Sequence, residues 1–251
     1  MRPVVVGIVP AHNHAKWVGD AIRALAEQTY PVGHIVVVDD GSTDGTADAV
    51  IGLMTESLEE VDHWQGRKLV RGHLGGTDIS LLMGPHPVGP AAARNAAFRF
   101  VWNGATHFAM CDSDDFYHPD KVRISMECFK DPAVGMVYTD YETLRESDGL
   151  RVREYKRPFD RDYMLASGEC LPNCDSVVSI DALAKAGVFD ESLRTCEDLD
   201  LWFRLSAHHV IWHEPTNLLT IRVGDHSSTS RVPQETWSAC YQKVMERARQ
   251  C

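Results

Sequence analysis

Two apolar segments of this chain end abruptly in acidic residues. Residues 34–38 lead into Asp39 and Asp40, and residues 107–111 lead into the acidic segment 112–115. Carboxylates at the end of a buried strand are costly unless they meet a cation or a hydrogen-bond donor. In open α/β sheets, ligands bind at the carboxyl ends of the strands. The two strand ends therefore predict one acidic rim that faces a metal and a phosphorylated ligand.

The spacing of apolar residues predicts alternating strands and helices in the first half of the chain. Residues 4–9 are a continuous apolar run of strand length, residues 34–39 form a second predicted strand, and residues 17–25 between them carry an apolar stripe with helical spacing. A right-handed crossover makes these two strands parallel. We therefore predict an α/β fold with a doubly wound, mostly parallel sheet and a small antiparallel region.

The remaining elements are predicted from turn residues and apolar periodicity. A helix capped by Asp44 or Ser42 runs to about residue 57, and residues 67–83 form a hairpin or two short strands. A helical stripe starts after Pro90. Further strands and helices are predicted at 108–111, 119–129, 134–141, 176–180, 181–187, 197–206, 209–212, 218–222 and 237–245.

Composition excludes some functions. The net charge of −11 argues against a protein whose main affinity is for nucleic acid or an anionic membrane. Residues 145–161 are locally basic, but acids are interleaved with the bases, which favours a solvated loop. No apolar run reaches the length of a membrane span, and the start of the chain does not resemble a signal peptide, so we expect a cytoplasmic protein without an integral membrane segment.

The cysteines indicate reduced thiols rather than a disulfide framework. They number seven and are scattered along the chain. Cys170 and Cys174 have a spacing seen in zinc sites, but no second pair accompanies them, which disfavours structural zinc.

The acidic segments have both a chemical and a plain structural interpretation. Asp39 or Asp40 can hydrogen-bond a base or ribose, or can merely cap a helix. The acids of segment 112–115 can bind Mg²⁺ or Mn²⁺, which in turn coordinates nucleotide phosphates. Alternatively, the segment is a solvated turn. Glu197 and Asp198 stand at a predicted helix start, where the dipole favours acids, and one of them can instead accept a proton from an attacking hydroxyl.

Six motifs together resemble the family 2 glycosyltransferases, which have the GT-A fold. The resemblance covers about residues 4–230. The motifs, in order, are Pro10-Ala11-His12-Asn13, residues 38–44 with Asp39 and Asp40, Gly89 with Arg94-Asn95, Asp112 to Asp115, Gly187 to Glu191, and Glu197 to Trp202.

The resemblance implies a role for each matching residue. It implies a nucleotide pocket formed by Pro10, Ala11, His12, Arg94 and Asp112, with Asp39 or Asp40 on the base. It implies a divalent cation, Mn²⁺ or Mg²⁺, held by Asp112 and Asp114, with His226 as a further candidate ligand. It implies that Asp198 is the general base, and that Glu197 and Asp115 contact the sugar or the acceptor.

The resemblance also implies an inverting reaction and its substrates. The donor is a nucleotide sugar, with UDP favoured, and the acceptor is a hydroxyl on a glycan, a protein, a small molecule or a modified base. One GT-A domain is expected over 1–230, divided into a nucleotide-binding half, 1–130, and a catalytic half, 131–230. A helix is expected to follow at 231–251.

Two departures and two alternative functions stay open. The stretch 54–88 is long for this family, and it either adds a hairpin near the site or decorates the sheet edge. The Gln-x-x-Arg-Trp motif of processive synthases is missing. An inactive nucleotide-sugar-binding protein would keep the same pocket. A sugar-1-phosphate nucleotidylyltransferase is disfavoured, because residues 10–14 lack the Gly-rich basic loop expected after its first strand.

Overall fold

The computed structural model describes residues 4–55, 59–224 and 232–250. The strands are β1 Val5–Ala11, β2 Val32–Asp39, β3 Glu59–Trp64, β4 Arg67–Leu74, β5 Thr77–Met83, β6 His107–Met110, β7 Phe116–Tyr117, β8 Val134–Arg145, β9 Arg151–Glu154, β10 Val177–Ser179 and β11 Val210–Val223. The helices are α1 Val18–Ala26, α2 Thr46–Ile51, α3 Pro90–Val101, α4 Lys121–Cys128, α5 Arg161–Ser167, α6 Ile180–Ala186, α7 Glu197–Ser206 and α8 Gln234–Gln250.

All described strands join one sheet, in the order β3-β4-β5-β2-β1-β6-β10-β8-β11-β7, with β9 paired to β8. The centre, β5-β2-β1-β6, is parallel, and antiparallel pairs flank it on both sides. The predicted α/β class is therefore confirmed. Since β1, β2 and β6 run in one direction, their carboxyl ends reach the same edge.

Two apolar layers cover the sheet, one on each face. One contains Ile8, Val36 and Phe108 with α3 and α7, and the other contains Val9, Val37 and Ala109 with α1 and α4. Successive residues of a strand point to opposite faces, so a strand buried on both sides must be apolar throughout. This requirement explains the continuous apolar runs in the sequence.

Within the long stretch 54–88, the strands β3, β4 and β5 form one side of the sheet, with β3 at its edge. β3 and β4 are antiparallel, β4 pairs with β5, and β5 pairs with β2 in parallel. The predicted hairpin over 67–83 is present. It decorates the edge rather than forming a second wall of the strand-end site.

Two predicted boundaries are wrong. α2 ends at Ile51 rather than near residue 57, because Gly52 follows it and Met54 turns inward to pack closely against Gly72. The two strands predicted at 209–212 and 218–222 are one strand, β11, whose register against β8 shifts around Glu214, Asn217 and Thr220. A bulged strand interrupts the alternation on which the prediction was based.

The last helix, α8, packs on α5 and α7 through Val244, Met245 and Ala248. Trp237 stacks on Tyr241 but keeps 40% of its surface exposed. Within the three described ranges, every helix is too short or too polar to cross a bilayer.

Candidate active site

A cavity of about 430 Å³ lies at the carboxyl ends of β1, β2 and β6. This is the edge where an open α/β sheet binds its ligand. The lining residues are Pro10, Ala11, His12, His14, Asp40, Pro87, Gly89, Pro90, Ala93, Arg94, Asp112, Ser113, Asp114 and Arg194. Residues from both acidic strand ends thus share one cavity, as the acidic rim predicts.

The structure places Asp40, and not Asp39, at the cavity. Asp39 is buried, accepts a hydrogen bond from the Ser42 amide at 3.2 Å, and has its pKa raised by burial. Pro10, Ala11, His12, Arg94 and Asp112 line the cavity as expected. Their contact with a nucleotide stays a prediction.

Asp40 also shapes the cavity wall. Its carboxylate accepts hydrogen bonds from the Val88 amide at 2.9 Å and the Gly89 amide at 2.8 Å, just before α3 begins. Gly41 has a φ of +69°, and a Cβ there would lie 2.6 Å from the carbonyl carbon of His86. The Asp-Gly turn is therefore required by the close approach of the protein's own backbone.

Three carboxylates converge at Asp112, one of the residues that line the cavity. One oxygen from each of Asp112, Asp115 and Asp175 lies within 4.8 Å of the others. Asp175 accepts a hydrogen bond from the Asp112 amide at 2.7 Å, and Asp115 accepts one from the Arg222 amide at 2.7 Å. We call these three residues the carboxylate cluster.

Burial and mutual repulsion perturb the carboxylate cluster. Burial, with the charges of neighbouring acids, raises the pKa of Asp175 to about 8 and the pKa of Asp115 well above its usual range. The fully buried Lys121 donates to Thr139 at 2.8 Å, and burial lowers its pKa to about 8 while the charge of Asp175 opposes this. A bound cation would reduce the electrostatic repulsion among these carboxylates.

The donor set fits a hard divalent cation. In each member of the carboxylate cluster, Oδ1 accepts a hydrogen bond from the protein. The donor is Arg94 for Asp112 and a backbone amide for Asp115 and Asp175. Among the described hydrogen bonds, the Oδ2 atoms of these residues accept none. Carboxylate oxygens at this density suit Mg²⁺ or Mn²⁺.

The other two predicted metal ligands are Asp114 and His226. Asp114 lies outside the carboxylate cluster; its Oδ1 is 3.9 Å from Nδ1 of His14, and its carbonyl accepts from Arg222 at 2.8 Å. His226 lies outside the described residues. Their role as ligands stays a prediction.

Arg94 connects the acidic segment 112–115 to the start of α7. Its side chain is only 4% exposed, and its two terminal nitrogens lie 2.6 Å from Asp112 and 3.1 Å from Glu197. The two carboxylates raise the pKa of Arg94 well above its usual value, against the effect of burial. A buried guanidinium paired on both sides fixes the position of Asp112 relative to Glu197, which lies 85 residues further along the chain.

The acids at the start of α7 have different partners. Asp200 pairs with Arg204 at 2.7 Å and with Arg247 of α8 at 3.4 Å, so it is structural. Asp198 accepts only the amide of Leu199 among the described hydrogen bonds, at 2.7 Å. Burial and the charge of Glu197 raise the pKa of Asp198 to about 6, and Arg94 and Asp112 are close enough to influence it. A carboxyl with this pKa can change its protonation state near neutral pH, and the role of Asp198 as the base stays a prediction.

Sequence reasoning missed four residues of this site. They are His14, whose Nδ1 is 2.7 Å from Ser113 Oγ, the buried residues Lys121 and Asp175, and the cavity residue Arg194. Asp175 precedes β10 instead of following a strand, so the pattern of acids at the carboxyl end of a strand does not find it; it reaches Asp112 because β10 is antiparallel to β6.

Comparison with known proteins decides the family. Residues 8–175 match the model of glycosyl transferase family 2. The chain belongs to glycosyl transferase family 2. The resemblance inferred from the six motifs is thereby confirmed.

The family 2 relatives are distant and of different lengths. The chain is 25% identical over 205 residues to TuaG of Bacillus subtilis, named for teichuronic acid biosynthesis, and the match covers 81% of this chain and 72% of TuaG. It is 22% identical over 229 residues to an uncharacterised glycosyltransferase of Rickettsia conorii, which covers 91% of this chain but only 34% of that protein. The chain thus spans about a third of that relative's length.

Solved structures show the same GT-A fold. TarS of S. aureus, residues 1–349 in complex with UDP-GlcNAc, superimposes with a TM-score of 0.72 at 16% identity, covering 98% of this chain and 66% of that one. The mannosyltransferase PcManGT of Pyrobaculum calidifontis, in complex with GDP-Man and Mn²⁺, gives a TM-score of 0.65 at 21% identity, covering 92% and 60%.

Proposed function

We propose that this family 2 chain is a metal-dependent, inverting glycosyltransferase that moves a sugar from a nucleoside diphosphate to an acceptor hydroxyl. The observation that carries the proposal is the buried Arg94 bridge. It joins Asp112, which lines the cavity, to Glu197, the neighbour of Asp198, whose pKa is raised. A donor site and a proton acceptor are thereby held together.

The reaction needs one proton transfer and one displacement. Asp198 takes the proton of the acceptor hydroxyl, whose oxygen attacks the anomeric carbon from the side opposite the diphosphate. The bond between that carbon and the diphosphate oxygen breaks, and its electron pair leaves with the nucleoside diphosphate. Attack from the opposite side inverts the anomeric configuration.

The carboxylate cluster and Asp114 supply oxygens for a divalent cation. When bound, such a cation neutralises charge that develops on the departing diphosphate. Asp112 belongs both to the predicted ligand pair, Asp112 and Asp114, and to the carboxylate cluster, so its position suits either set of ligands. Arg94 holds Asp112 in place whichever set is used.

Two solved neighbours bound to nucleotide sugars support the donor class. TarS was solved with UDP-GlcNAc, and PcManGT with GDP-Man and Mn²⁺. We favour a UDP-sugar for this chain, with Mn²⁺ or Mg²⁺ as the metal.

The proposal is tested by incubating the protein with Mn²⁺ and a panel of UDP- and GDP-sugars and measuring release of the free nucleoside diphosphate. We expect release from one class of donor, with water as a slow acceptor, and its loss when EDTA removes the metal. Tight binding without release would favour an inactive binding protein. In a parallel incubation with added pyrophosphate, formation of nucleoside triphosphate and sugar 1-phosphate would favour a nucleotidylyltransferase.

Turnover should depend on pH through Asp198. The pKa of its carboxyl is raised to about 6, so the carboxylate fraction grows as pH rises through that value. At saturating Mn²⁺ we expect kcat/KM to fall about tenfold per pH unit below 6 and to level off above it. A profile that stays flat from pH 5 to pH 8 would contradict the assignment of Asp198 as the base.

A further inference from the structure

The cavity contains two arginines that differ in their partners. Arg94 is paired with both Asp112 and Glu197, so this buried group of three carries no positive charge to spare for a ligand. Arg194 is exposed and lines the same cavity. Within the described part of the chain, no hydrogen bond or ion pair occupies its guanidinium.

The backbone around Arg194 is held firmly. Its neighbours Leu193 and Thr195 are buried, at 3% and 8% exposure, and the Leu193 amide donates to the Asp190 carbonyl at 3.1 Å. Asp190 is in turn bound by Arg247 of α8 at 2.7 Å. The loop therefore fixes the position of the Arg194 backbone and leaves its side chain exposed at the cavity.

Arg194 also marks where two cavities meet. A smaller cavity of about 220 Å³ shares Gly89, Pro90 and Arg194 with the larger one and is lined by Glu197. The start of α3 lies at this junction, and the amino-terminal end of a helix favours negative charge. An anion placed at the junction would meet the helix end and a guanidinium together.

We propose that Arg194 binds the diphosphate of the nucleotide-sugar donor, an inference that rests on the proposed function. The larger cavity is also lined by the acids Asp40, Asp112 and Asp114, which repel a diphosphate in the absence of a cation, and its other arginine, Arg94, is already paired. A guanidinium matches phosphate oxygens with paired hydrogen bonds, each assisted by charge. Arg194 supplies the positive charge that Arg94 cannot.

The test compares nucleoside diphosphates with nucleosides, using UDP, uridine, GDP and guanosine in titration calorimetry with Mn²⁺ present. For Arg194→Met we expect the affinity for the preferred diphosphate to fall about tenfold or more, while the affinity for its nucleoside changes less than about twofold. Arg194→Lys keeps a charge and should recover part of the loss. Arg153→Met, which removes an exposed arginine of β9 that lines neither cavity, is the matched control and should bind as the unaltered protein does.

Each outcome distinguishes the two proposals. If the unaltered protein binds diphosphates no better than nucleosides, the donor proposal itself fails. If it prefers diphosphates but Arg194→Met binds them equally well, the assignment of Arg194 fails alone. An equal fall for diphosphate and nucleoside also overturns it, since that result indicates a general distortion of the cavity.

Discussion

Replacing Asp198 by Asn should lower kcat for sugar transfer at least about 100-fold, which is the lower end of the contribution of a general base. The amide has nearly the same shape but does not accept the proton of the acceptor hydroxyl. Donor affinity should change little, because Asp198 is not among the residues that line the nucleotide cavity. The measurements are steady-state turnover and the Kd of UDP or GDP.

The same substitution should stabilise the fold at pH 8, which separates a chemical defect from unfolding. Burial raises the pKa of Asp198 from 3.8 to about 6, so the folded protein binds this proton more tightly than the unfolded chain. Stability from this group is therefore greatest below pH 3.8 and is lost as pH rises through 6. The asparagine side chain does not ionise, so the Asp198→Asn protein escapes that loss.

Asp200→Asn is the matched control on the same helix. Asp200 pairs with Arg204 and Arg247 and is assigned no part in the chemistry. Its replacement should weaken the fold and leave kcat close to that of the unaltered protein. Equal losses of kcat in the two variants, or unchanged turnover in Asp198→Asn, would contradict the assignment of the base.

Arg94→Met should lower the free energy of unfolding by about 3–5 kcal/mol, the usual cost of removing one partner from a buried ion pair. The side chain is 4% exposed, and its loss leaves both Asp112 and Glu197 without their cation. We also expect transfer activity to disappear, because the contact that holds Asp112 in position relative to α7 is lost. Urea unfolding of the purified variant measures the change in stability.

Two further variants show whether unpaired charge is the cause. Glu197→Gln, added to Arg94→Met, removes one of the stranded charges and should recover part of the lost stability. Arg99 lies on α3, as Arg94 does, and makes an exposed ion pair with Glu191. Arg99→Met breaks this pair, which is worth about 0–1 kcal/mol. If Arg94→Met costs no more than Arg99→Met, the bridge does not organise the site.

The sequence predicted the parallel centre of the fold and the strand-end acids because both depend on short-range patterns. A continuous apolar run indicates a strand buried on both faces, and its carboxyl end identifies the functional edge. Asp40, Arg94 and Asp112 were found in this way or through the family motifs, and all three line the cavity.

Asp175 and Arg194 were missed because their positions depend on long-range pairing. β10 inserts antiparallel between β6 and β8, which brings Asp175 to the amide of Asp112. Arg194 reaches the cavity because the loop before α7 is held by Asp190 and α8. No periodicity within residues 142–196 shows which strand will be a neighbour of which.

The most direct test of the central claim is a crystal structure of the Asp198→Asn protein with Mn²⁺ and its nucleotide-sugar donor. We predict the nucleotide in the cavity beside Asp40 and Asp112, an anomalous manganese peak on carboxylates of residues 112–115 or Asp175, and the anomeric carbon facing the substituted side chain at position 198. A donor bound elsewhere, or an anomeric carbon turned away from that side chain, would contradict the account.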